Sequence, residues 1–433
     1  MRGAASVAVG RLRGRPDADA LLAAGRPGAA LLEGWSDEAG WRIVLPWPEE
    51  IRTLSWEDAC DWKALVRSLE QGLDDSTPPP FPFTGGWVGF LAYEATACEE
   101  DVRPRVVHPP EPPLFFARHR AGVLIAPDGA AFLFAPPGTA ARYTALLDQA
   151  HAAPRRAGAP APIVDSLAGG AHRRMVEAIR AAIRDGDVYQ VNLTRAFSTE
   201  RSCDPAELYR ALTGAQPPRS AALLHGDGWS IASASPELLL RFDRAGGVAE
   251  SRPIKGTVRR EGEEGAEIRA LLASTKDAAE HLMIVDVVRN DFGKIAPAGQ
   301  VTVPEYRAVR SLEHVHHLES TVRATGLEDA SVANILAALS PPASITGAPK
   351  RAAVRMIREL EPVPRGVYCG SIGMIHSGGA TFSVAIRTAV CTPTSVRYHA
   401  GGGIVWDSDA AAEDDESRAK SSAFLRYLGE AGT

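Results

Sequence analysis

Cysteine is scarce and scattered. The five in 433 residues (Cys60, Cys98, Cys203, Cys369 and Cys391) make no CxxC pair, so neither a disulfide framework nor a zinc site is expected, and a reducing cytoplasm fits best. A marked excess of one charge is also missing: 47 Lys and Arg stand against 53 Asp and Glu, a formal net charge of -6. Such a balance gives no general attraction for nucleic acid or an anionic membrane, and any anionic ligand must be met by a local site. No apolar run reaches the length of a membrane-spanning helix, and the opening "MRGAASVAVGRLRGRPDADA" lacks the apolar core of a signal peptide, so a soluble protein is expected. The absence of a fixed-period repeat or low-complexity tract argues against solenoids and propellers. With 45% hydrophobic and 23% charged residues, the chain has the composition of a globular protein with a large core.

The clearest seam is "HAAPRRAGAPAPIVDSLAGG", residues 151–170, where Pro, Ala and Gly cluster without apolar periodicity. It divides a strand-rich region, 1–150, from a region of alternating helices and strands, 171–433. In the first region "AALLEGW", "GWRIVLPW", "GGWVGFLAYE" and "GVLIAPDGAAFLFAPP" read as short strands broken by Gly and Pro. In the second, Met175, Ile179 and Ile183 have helical spacing that stops at Gly186, ahead of the strand-like "VYQVNLTRAF".

Several stretches carry chemistry. In "SRPIKGTVRR", Pro253 and Gly256 flank Lys255 on a constrained turn, although alone a lysine among arginines is an ordinary surface charge. In "DSDAAAEDDESRAKSS", Asp407, Ser408 or Asp409 caps a helix on which Glu413, Glu416 and Lys420 share an arc of about 60°. Glu280 begins "EHLMIVDVVRNDFGKI", a helix expected to be buried on most sides, with Asp286, Arg289 and Asn290 as an internal polar network. Three carboxylates suit magnesium, which prefers a few oxygen ligands completed by water and substrate. Three elements suit an anion: Gly401, Gly402 and Gly403 after a strand; Arg387, which alternation in "ATFSVAIRTAV" places above Ser383 and Ala385; and the helix start at Pro349, preceded by Ser344, Thr346 and Gly347. Glu237, at the mouth of an apolar strand, is a candidate acid with a raised pKa. His314, His316 and His317 lack a third ligand at recognisable spacing and read as strand histidines rather than a metal site.

Together, "VYQVNLTRAF", "SASPELLLRF", "RPIKGT", "EHLMIVDVVRNDFGKI", "VHHLES", "SITGAPKRAAVRMIRELEP", "YCGSIGMI", "FSVAIRT" and "AGGGIVWDSD" resemble, in order, the motifs of the chorismate-utilising enzymes, over roughly residues 170 to 425. That family includes the large subunit of anthranilate synthase and the isochorismate and salicylate synthases. The resemblance implies an α+β fold of two large antiparallel sheets packed as a sandwich with surrounding helices. It implies Mg2+ held by Glu280 and Glu416 with help from Glu413, and bound to one carboxylate of chorismate. Arg387, Tyr368, Gly401, Gly402, Gly403 and Lys420 would hold the other carboxylate, Thr257 and His317 would line the ring, and Glu237 would be the general acid/base.

Within the family, members that make anthranilate usually carry "PIAGT", and those that make 4-amino-4-deoxychorismate carry "PIKGT". Lys255 therefore points to a covalent route, in which its amine adds at C2 of chorismate, the 4-hydroxyl leaves, and ammonia enters at C4. Relatives that use water have a lysine base where Gln190 stands here, which favours ammonia. Formation of anthranilate or 2-amino-2-deoxyisochorismate is the alternative, and a silent chorismate- or tryptophan-binding regulatory subunit is another. The chain departs from the family pattern at Asp414 and Ser417, and at Gly34, where a tryptophan-feedback pocket usually has serine. No glutaminase motif is present, so ammonia is expected from a separate glutamine amidotransferase subunit or from free ammonium.

Overall fold

Alternation along the strands decides which layer each side chain joins. In the paired strands Ala30–Glu33 and Ala221–His225, Leu31 lies opposite Leu223, and Leu32 opposite Ala222. Leu31 and Leu223 join one buried cluster, whereas Leu32, Ala222 and Leu224 join another with Phe90, Phe115, Ile372 and Met374 from a different sheet. The second cluster is the layer between two sheets. In this computed structural model, which describes residues 7–14, 16–23, 26–35, 40–73, 81–105, 107–148, 158–214, 217–260, 264–311 and 315–429, one sheet has twelve strands and the other ten. Each reported strand pair is antiparallel. This is the α+β sandwich that the sequence implied.

Helices cover both outer faces. Leu22, Tyr143, Leu208 and Phe424 pack on the first sheet, and Trp62, Val66, Ile284, Val288 and Leu336 on the second. The helix Ala171–Asp185 buries Val176 and Ile179 and ends at Gly186, whose φ of +86° lets its N–H reach the Ala182 and Ile183 carbonyls. The strand Gln190–Thr199 follows, as its sequence predicts. Strands from before and after the seam mix in both sheets. Of the seam, 151–157 lies outside the described residues. The rest is not a free linker, because Val164–Asp165 is a strand paired with Phe197 and Ser198, and Leu167 is fully buried.

Three expectations are corrected. Cys60 and Cys98 form a disulfide, which their separation of 38 residues hides from spacing rules; Cys203, Cys369 and Cys391 are free and buried. The helix Thr275–Gly293 is buried on one face only: Leu282 is exposed, and Asp286 makes a surface ion pair with Arg289 at 3.0 Å instead of an internal network. Strand alternation also fails before Arg387, because the strand Gly379–Val384 ends early and Arg387 has a φ of +50°. Among the described residues no helix is long and apolar enough to cross a membrane.

Candidate active site

The glycine strand sets one wall. Val396–Ile404 pairs with Gln190–Thr199 in a register that places Gly401 opposite Thr194, Gly402 opposite Leu193, and Gly403 opposite Asn192. A Cβ on Gly401 would lie 2.2 Å from the Leu193 carbonyl oxygen, so no other residue fits there. A Cβ on Gly402 would stand 3.4 Å from Glu413 Oε2, 3.7 Å from Lys420 Nζ and 3.9 Å from Glu416 Oε1. The missing side chain therefore opens the space onto which the acidic helix projects.

That helix, Ala410–Ala419, is capped by Asp409, whose carboxylate accepts from the Ala411 and Ala412 N–H groups. Ser408 instead donates to buried Glu413 Oε1 at 2.7 Å. Lys420 Nζ bridges Glu416 Oε1 at 2.7 Å and the Gly401 carbonyl at 3.0 Å. Asp414 points away from this face into a cluster with Arg195, which is fully buried, and with Arg173 Nε at 3.2 Å. Arg195 also meets Asp165 at 3.1 Å. The departure at Asp414 thus fastens the helix to the sheet.

Lys255 is presented by a β-bulge. In Ile254–Arg259, Ile254 pairs with Glu319 and Thr257 with His317, so Lys255 and Gly256 together face Leu318 alone. Gly256 takes a φ of +81° with Leu271 3.1 Å from where its Cβ would be, and the Lys255 carbonyl accepts from His281 Nδ1 at 3.3 Å. The residue as a whole is half-buried. Burial and the Lys420 charge lower its pKa against the opposing pull of Glu280, Glu237 and Glu416. Those five side chains therefore share one electrostatic environment.

Glu237 is 5% exposed, and burial pushes its carboxyl up to about 7. Ser344 and Lys255 favour the carboxylate and Glu319 opposes it. His317, in the adjacent strand Val315–Ala324, has a pKa lowered to about 4 by burial, Arg387 and His316, which makes it a neutral imidazole. Its Nδ1 shares a 2.8 Å hydrogen bond with Thr257 Oγ1, and its buried Nε2 has no partner. Arg387 is exposed and near enough to act on both His317 and Tyr398. Tyr368 lies behind the glycine wall, buried near Thr194 and stacked on His399 with ring centroids 5.3 Å apart. His316 pairs with Ser311 at 2.8 Å and lies 3.6 Å from Glu267, as a structural histidine would. His314 lies outside the described residues.

Glu413 and Glu416 stand beside the space left by Gly402, and Glu280 shares with Glu416 the surroundings of Lys255; all three offer only oxygen donors, a chemistry that suits magnesium. Among the described residues no three His, Cys, Asp or Glu side chains are already gathered closely enough to enclose an ion.

A family model described as chorismate binding enzyme matches residues 35–426. The chain belongs to the chorismate-binding enzyme family. It is 35% identical over 387 residues to an aminodeoxychorismate synthase of Streptomyces griseus, an alignment that covers 82% of this chain and 52% of that protein. It is also 35% identical over 379 residues to anthranilate synthase component 1 of Streptomyces coelicolor, covering 79% of this chain and 73% of that one. The chain spans about half the length of the aminodeoxychorismate synthases it matches. Among solved structures, anthranilate synthase component I of Streptococcus pneumoniae superposes with a TM-score of 0.73 at 25% identity, covering 98% of this chain and 93% of that one.

Within this chorismate-binding chain, Gln190, which the sequence marked as standing in place of a lysine base, is fully buried with both amide atoms unpartnered, 3.0 Å from where a Gly403 Cβ would sit, and one further feature escaped sequence reasoning. Glu361 and Arg365 form a buried pair beneath the site; their i,i+4 spacing was visible, but just past a helix end it reads as a surface pair. A small cavity of about 40 Å³ beside Pro236 is lined by Arg219, Arg241, Arg252 and Glu319. Gly34 borders it with a φ of +76° and Arg219 Cα 3.1 Å from its would-be Cβ, so a serine there would be strained and would press on the Arg219 backbone.

Proposed function

We propose that the chain is the aminating subunit of an aminodeoxychorismate synthase, converting chorismate and ammonia to 4-amino-4-deoxychorismate. The observation that carries this reading is Lys255: a bulge presents it, half-buried, beside Glu237, whose carboxyl is held near 7. Its lowered pKa raises the fraction of free amine at a given pH. The amine adds at C2 of chorismate, the double bond migrates, and the 4-hydroxyl leaves as water with the proton of Glu237. Ammonia then adds at C4, the double bond returns, and the C2–N bond to Lys255 breaks. One proton from the entering ammonia returns to Glu237, so chorismate and ammonia give product and water.

Magnesium would be held by Glu280 and Glu416 with Glu413 nearby, and would neutralise a substrate carboxylate there. Lys420 and the backbone N–H groups of the glycine strand, with Arg387, would hold the other carboxylate. Thr257 fixes the His317 ring so that the neutral imidazole offers its Nε2 to the substrate. Ammonia would come from a separate glutamine amidotransferase subunit, and release of 4-aminobenzoate would need a pyridoxal-phosphate lyase.

The similarity to anthranilate synthases supports a second reading, in which ammonia attacks C2 directly. Incubating the chain with chorismate, magnesium and ammonium salt at mildly alkaline pH, followed by a 4-amino-4-deoxychorismate lyase and chromatography with mass detection, separates the two. The expected product is 4-aminobenzoate; anthranilate or unchanged chorismate would refute the proposal.

A further inference from the structure

Strand Gln190–Thr199 is paired along one edge by Val396–Ile404, but strands reach only the ends of its other edge: Gly347–Ala348 at residues 190 and 191, and Val164–Asp165 at 197 and 198. Buried N–H and C=O groups between those ends need other partners. A side-chain pair stands in for the missing strand. Glu361 Oε1 accepts the Thr194 N–H at 2.9 Å, and Arg365 Nη2 donates to the Asn192 carbonyl at 2.8 Å. Residues two apart in a strand aim their backbone groups at the same edge, so one ion pair grips both.

The pair is closed on itself. Arg365 Nε and Nη2 meet the two Glu361 oxygens at 2.9 and 2.6 Å, with side chains 1% and 5% exposed. Glu94 accepts the Arg365 backbone N–H at 2.6 Å, and the guanidinium lies 4.6 Å over the Tyr93 ring. The remaining arm, Nη1, donates to the Ile345 carbonyl at 2.8 Å. Ile345 follows Ser344, whose buried hydroxyl has no hydrogen-bond partner of normal geometry but lies near enough to Glu237 to favour its carboxylate.

We infer that Arg365 is a positioning residue: locked by Glu361, it fixes the Ser344 turn against Glu237 on one side and the strand behind Gly401–Gly403 on the other. Its meaning for catalysis rests on the proposed role of Glu237 as proton donor. The groups that face Glu237 are Ser344 from the 343–345 turn, Lys255 from the bulge and Glu319 from the 315–324 strand. Of these, Arg365 anchors the segment of Ser344 alone. A lysine at 365 keeps the charge but cannot span Glu361, Asn192 and Ile345 with a planar fork. The turn then relaxes, the hydroxyl withdraws from the carboxylate it favours, and Glu237 keeps its proton to higher pH.

The test is an infrared titration of the full chain without substrate, following the protonated carboxyl band that Glu237→Gln abolishes. Arg365→Lys is expected to raise the midpoint by roughly half a pH unit or more. Ser344→Ala should do the same, and the double variant should shift no further than Ser344→Ala alone. An unmoved or lowered midpoint in Arg365→Lys, or additive shifts in the double variant, overturns the inference. Should Arg365→Lys fail to fold, Glu361→Gln replaces it; that variant keeps an oxygen for Thr194 but removes the charge that locks the guanidinium. Its midpoint should also rise, and no movement there overturns the inference equally. The titration needs no turnover: a chain that shows these shifts but makes no 4-amino product refutes the proposed reaction and leaves the positioning role standing.

Discussion

In the proposed reaction Lys255 and Glu237 each need the protonation state that water disfavours, and burial shifts both towards it. The Glu237 carboxyl keeps its proton below about 7 and loses it above. Lys255, lowered by burial, gains free amine as pH rises. At fixed free ammonia the rate should therefore be bell-shaped, its alkaline limb set by Glu237 and its acid limb by the amine. Glu237→Gln should cost about 10²- to 10⁴-fold in kcat and flatten the alkaline limb; a limb that persists would assign it to another group. Lys255→Ala discriminates by product instead. A covalent role predicts a switch from 4-amino towards 2-amino product, because ammonia then meets C2 directly. A lower rate with unchanged product would make the lysine electrostatic only.

At the scale of elements, the glycine strand and the acidic helix act as a unit, and their glycines are not equivalent. Gly401→Ala puts a methyl 2.2 Å from the Leu193 carbonyl oxygen, so the ladder must part; a loss of about 3 kcal/mol is expected in denaturant unfolding. Gly402→Ala meets only the ends of Glu413, Lys420 and Glu416, at 3.4 to 3.9 Å. It should leave stability within about 1 kcal/mol but raise the KM for chorismate, since the methyl occupies the space before the carboxylates. Equal destabilisation by the two would contradict this division. The acidic helix was legible because Asp409 caps it and because Glu413, Glu416 and Lys420 recur at helical spacing. The bulge at Lys255 was only half legible: Pro253 and Gly256 signal a constrained turn, but the extra residue exists only relative to the partner strand. Arg387 misled because strict alternation was carried past the end of its strand at Val384. Glu361 and Arg365 were invisible as strand surrogates, since the open edge they fill arises only when the sheet is assembled.

Across the whole molecule, the sandwich was legible mainly through its family motifs, while the contacts that join distant segments were not. Cys60 and Cys98 illustrate the limit, because their pairing depends on Cα atoms brought to 5.5 Å by the packing of two separate turns. The bond ties the start of Trp62–Gln71 to the end of Tyr93–Ala97, the helix whose Tyr93 and Glu94 hold Arg365. Closing a loop with a sequence separation of 38 removes unfolded-state entropy worth at most about 4 kcal/mol. In a chain this long that corresponds to a Tm change of only a few degrees, because the entropy of unfolding grows with size. Cys60→Ser, or added reductant, should therefore lower the Tm by about 4 °C in a calorimetric scan and leave the ratio of 4-amino to 2-amino product unchanged. The second half follows from geometry: besides Glu94, Arg365 is held by Glu361 and the strand edge, and neither of these lies on a segment that the bond ties. An identical Tm with and without reductant would mean that the bond constrains nothing the fold does not already fix. A changed product ratio would mean that the helix Tyr93–Ala97 transmits its position through Arg365 to the acid at Glu237.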